Sequence, residues 1–294
     1  MERKHNLVNK HPVVAGILIS LLMMFGSQII ATIPSSMEMV ASGDLQTQPP
    51  MGFSSIVATI IATVLALLLY KRWFRPEFKG VVKGDGLKEG LLYASVIIIY
   101  WIITAIVMNM TNTFEFKGIT MSILATSIMA GCIEEISFRH GLISTILRNE
   151  NKEENYIKIC VISAVAFGFV HLLNAAMGAN LMSTLLQVVS AGCLGIFFAA
   201  IFVRTGNILV PMIVHTVHDI YAISVSSGIS ENGVITASVN PSDFVDLFCC
   251  IALAIIAIKI CLPKEKRSEI LNKWNHIWSK DEINPILNND QKIL

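Results

Sequence analysis

Apolar residues in this chain gather into long runs separated by short polar stretches. A bilayer crossing needs about 20 mostly apolar residues, and eight runs come near that length: 13–33, 52–70, 91–110, 119–147, 157–177, 181–203, 207–227 and 244–262. The third, LLYASVIIIYWIITAIVMNM, is clear, whereas the fourth is long and interrupted by polar residues. The pattern predicts an all-α polytopic membrane protein, with about eight transmembrane helices around a central polar cavity. The first run follows a basic N-terminal region. It is longer than a secretory h-region and no A-x-A-like site follows it, so it reads as an uncleaved span.

Charge gives an independent test of this count. With the N-terminus inside and all eight runs crossing, 20 of the 22 Lys and Arg residues fall on the cytoplasmic side. Lys117 alone lies outside, and Arg139 lies within a span. Such a bias supports an even number of crossings with both termini cytoplasmic, as expected for a multi-pass protein of a bacterial plasma membrane. The chain divides into an N-terminal region of three spans (1–118), a transmembrane core (119–262) and a tail (263–294). Within the first region, segment 71–90 mixes basic residues with Trp73, Phe74 and Phe78, which suits the lipid headgroup zone. The tail places Ile270, Leu271, Trp274, Ile277 and Trp278 on one face among lysines. It reads either as a helix lying on the inner leaflet or as a solvated segment.

Composition narrows the function. Hydrophobic residues make up 54% of the 294-residue chain and charged ones 15%, with a mean hydropathy of +0.64. Soluble domains carry roughly 25% charged residues, so a soluble enzyme, a disordered chain and a nucleic-acid binder are all excluded. The six cysteines show no C-x-x-C spacing and read as small apolar residues rather than as disulfides or zinc ligands.

The chemistry lies in the polar residues inside the runs: Glu134, Glu135, Arg139, His140, His171, His215, His218 and Asp219. A charge at a helix centre costs about 2.5–3.5 kcal/mol. Four of them (Glu134, Glu135, Arg139, Asp219) therefore cost on the order of 10 kcal/mol unless paired or hydrated. Glu135 and Arg139 are one helical turn apart, acid first, the order that favours an ion pair and leaves Glu134 free. Phe167 and His171 are one turn apart on the fifth run. His215 and Asp219 are one turn apart on the seventh, a spacing that orients imidazole or binds metal. His218 points partly away and reads as a bystander or supporting residue, and His140 as interfacial. Glu134, His171 and Asp219 each lie roughly 12–15 residues from one end of their spans. At ~1.5 Å per residue they reach similar depths, so three helices can converge on one cavity, expected to be accessible from the cytoplasm. A desolvated glutamate can there act as general base, and histidine donors can steady an oxyanion.

Glu134-Glu135-x-x-x-Arg139, Phe167-x-x-x-His171 and His215-x-x-x-Asp219, in this order on separate apolar runs, resemble the motifs of the CPBP intramembrane proteases. That family joins CAAX prenyl endopeptidases to bacteriocin-processing and abortive-infection or immunity proteins. The stretch Arg204-Thr-Gly-Asn-Ile-Leu-Val-Pro-x-x-x-His215 is similar to the family's lead-in to its last motif. The resemblance spans roughly residues 119–225. It implies that Glu134 activates water for peptide hydrolysis, that His171 aligns it, and that His215 and Asp219 stabilise the oxyanion or complete the site. Glu135, Arg139 and Phe167 would be structural or substrate-orienting. Many members end the last motif with Asn. Asp219 as a carboxylate only accepts hydrogen bonds, which fits a metal ligand, a His215 orienter or a protonated acid better than a plain oxyanion donor.

Glu134, His171, His215 and Asp219 would also make an N/O zinc set with an open position for water. No H-E-x-x-H is present, and the reading favours a general base without metal, so a divalent cation such as zinc is the alternative cofactor. The expected partners are the lipid bilayer and a membrane-associated peptide substrate, with processing of bacteriocins or signal peptides, or self-immunity, as roles. Two other classes compete. One is a proton-coupled transporter, against which the absence of an inverted repeat counts; the other is a non-catalytic immunity or scaffold protein.

Overall fold

The structure, a computed structural model, describes residues 6–279 apart from 44–50, 177, 232, 234, 236 and 237. Eight apolar helices run antiparallel in chain order: α1 (Pro12–Ser42), α2 (Phe53–Trp73), α3 (Leu87–Met110), α4 (Met121–Glu150), α5 (Glu153–Ala176), α6 (Leu181–Thr205), α7 (Leu209–Val225) and α8 (Pro241–Cys261). Among the described residues, seven are long and apolar enough to cross a membrane, and α7, at 17 residues, is shorter. A final helix, α9 (Arg267–Ile277), lies beyond them. Two isolated bridges, Phe114–Ser226 and Ile229–Ile235, are the β-type pairings among the described residues.

Local chemistry sets the helix ends. Thr120 caps α4 through Ile123 N–H, the Asn180 side chain accepts from Met182 and Ser183 N–H at the start of α6, and Asn240 and Asp243 form a capping box on α8. These side chains satisfy donors that the first turn leaves free. Gly206 ends α6 in the left-handed region at φ 62°, where a Cβ would be strained. Along the outside of the bundle, Leu22, Ile29, Leu69, Leu92 and Phe248 are exposed, as a lipid-facing belt requires. The interior belongs to α4 and α6, whose apolar windows are 67% and 61% buried against at most 33% in the other long helices.

The fourth run proves to be one helix with a wider middle. Ile136–Ser144 adopts π-helical geometry between two α-helical segments. Such a widened turn shifts the register of later side chains and loosens backbone bonding locally. Part of that deficit is met from α5, where Ser163 Oγ donates to the Phe138 carbonyl at 2.8 Å.

Three surface expectations need correction, for one reason: the residues are covered by protein rather than by headgroups or water. Ile270, Trp274, Ile277 and Trp278 of the tail are buried in the core, and Trp274 Nε1 donates to the Val203 carbonyl at 2.8 Å. The tail helix is therefore docked on the bundle, neither spread on a leaflet nor solvated; residues 280–294 lie outside the described residues. Phe74 and Phe78 are buried too, with Trp278 ring centroids 5.3 and 4.7 Å away, while Trp73 stays exposed. His140 is not interfacial. It is enclosed by Tyr70 and Phe78, with ring centroids 4.2 and 5.4 Å away. Arg204 reinforces this end, pairing with Glu89 at 3.0 Å and Glu269 at 3.1 Å, while Lys273 Nζ donates to the Arg204 carbonyl at 2.8 Å. Burial there holds the Lys273 ammonium below its ordinary pKa.

Candidate active site

Helices α4 and α7 approach closely because Gly131 has no side chain. A Cβ there would meet Thr216 Oγ1 at 2.2 Å and Thr216 N at 2.8 Å. Small residues permit such contact between membrane helices, and one turn beyond Gly131 come the two glutamates. Gly168 plays the same part between α5 and α6, where a Cβ would lie 2.6 Å from the Val188 carbonyl. These two contacts set α4 against α7 and α5 against α6.

His215 is the hub. Its Nδ1 lies 2.8 Å from Glu135 Oε1, and its Nε2 lies 3.7 Å from Glu134 Oε2 and 3.6 Å from Asp219 Oδ1. The first is a hydrogen bond; the other two are too long for one and are charge contacts. The ring stacks on Phe198 at 5.0 Å and meets the edge of Phe167 at 5.9 Å. Glu135 uses its other oxygen on Arg139, Oε2 to Nε 3.1 Å, with both side chains fully buried. The Arg139 guanidinium lies over the Phe167 ring, 4.4 Å from its centroid, a cation–π contact that suits a desolvated cation. The pairing of Glu135 with Arg139 matches the spacing argument. The second bond of Glu135, to His215 on another helix, had no signal in the sequence.

Glu134, Phe167, His171, His215 and Asp219 line one cavity of about 700 Å³; Glu135 and Arg139 do not. His171 lies on the last part of α5, with Nδ1 3.0 Å from the Phe167 carbonyl. A carbonyl only accepts, so Nδ1 carries the proton and the neutral ring offers its Nε2 lone pair. His218, set aside from sequence, also lines the cavity.

The cavity opens at an end the sequence did not predict. Its lining runs out through Met108, Thr113, Ser183, Ser227 and Asn240, which lie at the same end of the bundle as Lys117. Lys117 Nζ donates to the Ser226 carbonyl at 2.6 Å and to the Ile229 carbonyl, holding part of the rim. The basic segments 71–88, 148–158 and Arg204 belong to the opposite helix ends. The sequence reading expects access from the basic end, whereas the described lining extends towards the other one: depth along a span does not say towards which end the space between helices widens.

The zinc set is not assembled. Among the described residues, no three His, Cys, Asp or Glu side chains form a group able to hold a metal ion. Glu134 and Asp219 both approach His215 Nε2 rather than converging with it on a common point.

Three helices thus bring polar motifs to one cavity. Residues 116–221 match the family model described as type II CAAX prenyl endopeptidase Rce1-like. The match agrees with the resemblance read from the three motifs and contains all of them. This segment is thus similar to the CAAX-type intramembrane endopeptidases, and it lies in a multi-pass membrane protein. No curated protein matches the chain.

Proposed function

We propose that the protein hydrolyses a peptide bond in a membrane-associated peptide, with Glu134 as general base and without a metal. The observation that carries this reading is the division of labour between adjacent glutamates. Glu135 is held by Arg139 and His215, whereas Glu134 faces the cavity and, among the described residues, makes its one ion-pair contact with the His215 ring. A water beside Glu134 loses a proton to its carboxylate as the oxygen bonds to the scissile carbonyl carbon. The His171 Nε2 lone pair accepts the other water hydrogen and aims it. The C–N bond then breaks, and the proton held by Glu134 passes to the departing amine. His215, oriented by Glu135, faces the reacting centre, with Asp219 beside its Nε2.

Access shapes the substrate class. The positive-inside rule places the basic end in the cytoplasm, so the mouth opens to the outer side. A signal peptide or bacteriocin precursor reached from outside fits this better than a prenylated cytoplasmic protein. Cysteine introduced at Ser227 should react in intact cells with a membrane-impermeant maleimide; protection until lysis would reverse the orientation.

The activity itself is tested in proteoliposomes with internally quenched peptides, each carrying a hydrophobic anchor of about 20 residues and randomised flanks. Purified protein should cleave members of the set, at a rate unchanged by excess chelator. Loss of cleavage on chelation, restored by zinc, would overturn the metal-free mechanism.

A further inference from the structure

The site contains one imidazole whose role the motifs leave unassigned. His218 lies on α7 between His215 and the third helix, and its ring is buried. Trp101 Nε1 donates to His218 Nδ1 at 3.2 Å. An indole N–H has no acceptor capacity, so Nδ1 must present a lone pair. The neutral ring therefore carries its proton on Nε2.

This tautomer is enforced by a supported frame. Tyr221 donates its hydroxyl to the Trp101 carbonyl at 2.8 Å, and its ring lies 5.7 Å from the indole. Thr104 Oγ1 meets the same hydroxyl at 2.8 Å. The Tyr100 ring covers His218 with centroids 5.5 Å apart. His218 Nε2 has no hydrogen-bond partner among the described residues, and the residue lines the same cavity as Glu134, His171, His215 and Asp219.

Two histidines thus enter one cavity in opposite tautomers. His171, donating from Nδ1 to a carbonyl, offers a lone pair; His218, accepting at Nδ1 from an indole, offers an N–H. The nearest carboxylates, Glu134 and Asp219, accept when ionised and cannot stabilise a developing negative oxygen. We propose that His218 Nε2–H donates to the scissile carbonyl oxygen, making His218 a catalytic residue and Trp101 its positioning residue. As the water oxygen bonds to the carbonyl carbon, the C=O π pair moves onto the oxygen, which tightens on Nε2–H. When the C–N bond breaks and the carbonyl re-forms, the bond relaxes, and His218 keeps its proton throughout. Trp101 lies on α3, outside the matched segment 116–221, so the N-terminal helices contribute to the chemistry as well as to the packing.

The proposal rests on the endopeptidase reading, and its test separates the two. With the anchored quenched peptides, His218→Ala should lower kcat by about 10²–10³-fold, with KM changed by less than about threefold. His218→Gln, whose amide keeps an N–H, should recover at least tenfold over His218→Ala. Trp101→Phe should lower kcat, and ring ¹⁵N spectra of His218 should show Nε2-protonated imidazole in the wild type and a mixture of tautomers in Trp101→Phe. A folded His218→Ala enzyme with wild-type kcat, or a wild-type spectrum with the proton on Nδ1, would overturn the proposal. If Glu134→Gln abolishes cleavage while His218→Ala does not, this inference alone falls. If Glu134→Gln cleaves as the wild type does, the reading beneath it falls.

Discussion

Glu134→Gln lowers kcat for anchored-peptide cleavage by about 10²–10⁴-fold, the range for loss of a positioned general base, and leaves thermal unfolding close to that of the wild type. The amide keeps the shape of the side chain, but it exchanges an accepting oxygen for a donating NH2 and cannot take a proton from water. Stability should hardly move, because Glu134 faces the cavity and its contact to His215 Nε2, at 3.7 Å, is longer than a hydrogen bond. The two measurements together are decisive. A fully active Glu134→Gln protein would remove the general base from the mechanism. An inactive but strongly destabilised one would place Glu134 among the packing residues.

Its neighbour should behave differently. Glu135→Ala is expected to lose about 3–5 kcal/mol of stability, the usual consequence of leaving a buried charge without its partner, and to lose cleavage with it. Arg139, fully buried, would keep only the Phe167 and Phe198 rings and the Gly195 carbonyl. His215 would lose the acceptor that fixes its Nδ1. The effect should appear as a lowered unfolding temperature in detergent, together with reduced kcat. A Glu135→Ala protein that melts with the wild type would show that the bond from Glu135 to His215 does not hold α4 and α7 in register. Adjacent carboxylates, one acting on rate and the other on rate and stability, are what one lining residue and one buried anchor imply.

Much of this contrast was legible along the chain. The i,i+4 spacing of Glu135 and Arg139 puts them on one helical face, and their pairing follows from the cost of burying either alone. His215 and Asp219 share a face for the same reason, the spans follow from transfer free energies, and the one-sided distribution of Lys and Arg follows the positive-inside rule. What spacing cannot report is which helix faces which. The bond from Glu135 to His215 depends on α4 and α7 closing at Gly131, and a glycine signals close approach without naming its partner. His218 looked peripheral because its angular position was judged on α7 alone; Trp101, more than a hundred residues earlier in the chain, turns its ring into a donor.

The sequence by itself determined that this chain is a helical membrane protein and which helices carry ionisable groups. Each of these depends on the preference of single residues for water or hydrocarbon, a property read locally. Only the tertiary structure decided that the tail helix and Phe78 pack on protein, that the cavity opens at the end away from the basic segments, and that His171 and His218 hold opposite tautomers. Hydropathy cannot make those distinctions, because lipid chains and apolar side chains are alike as solvents. A hydrogen-bond direction is likewise set by the partner, and the partners come together only when distant helices meet.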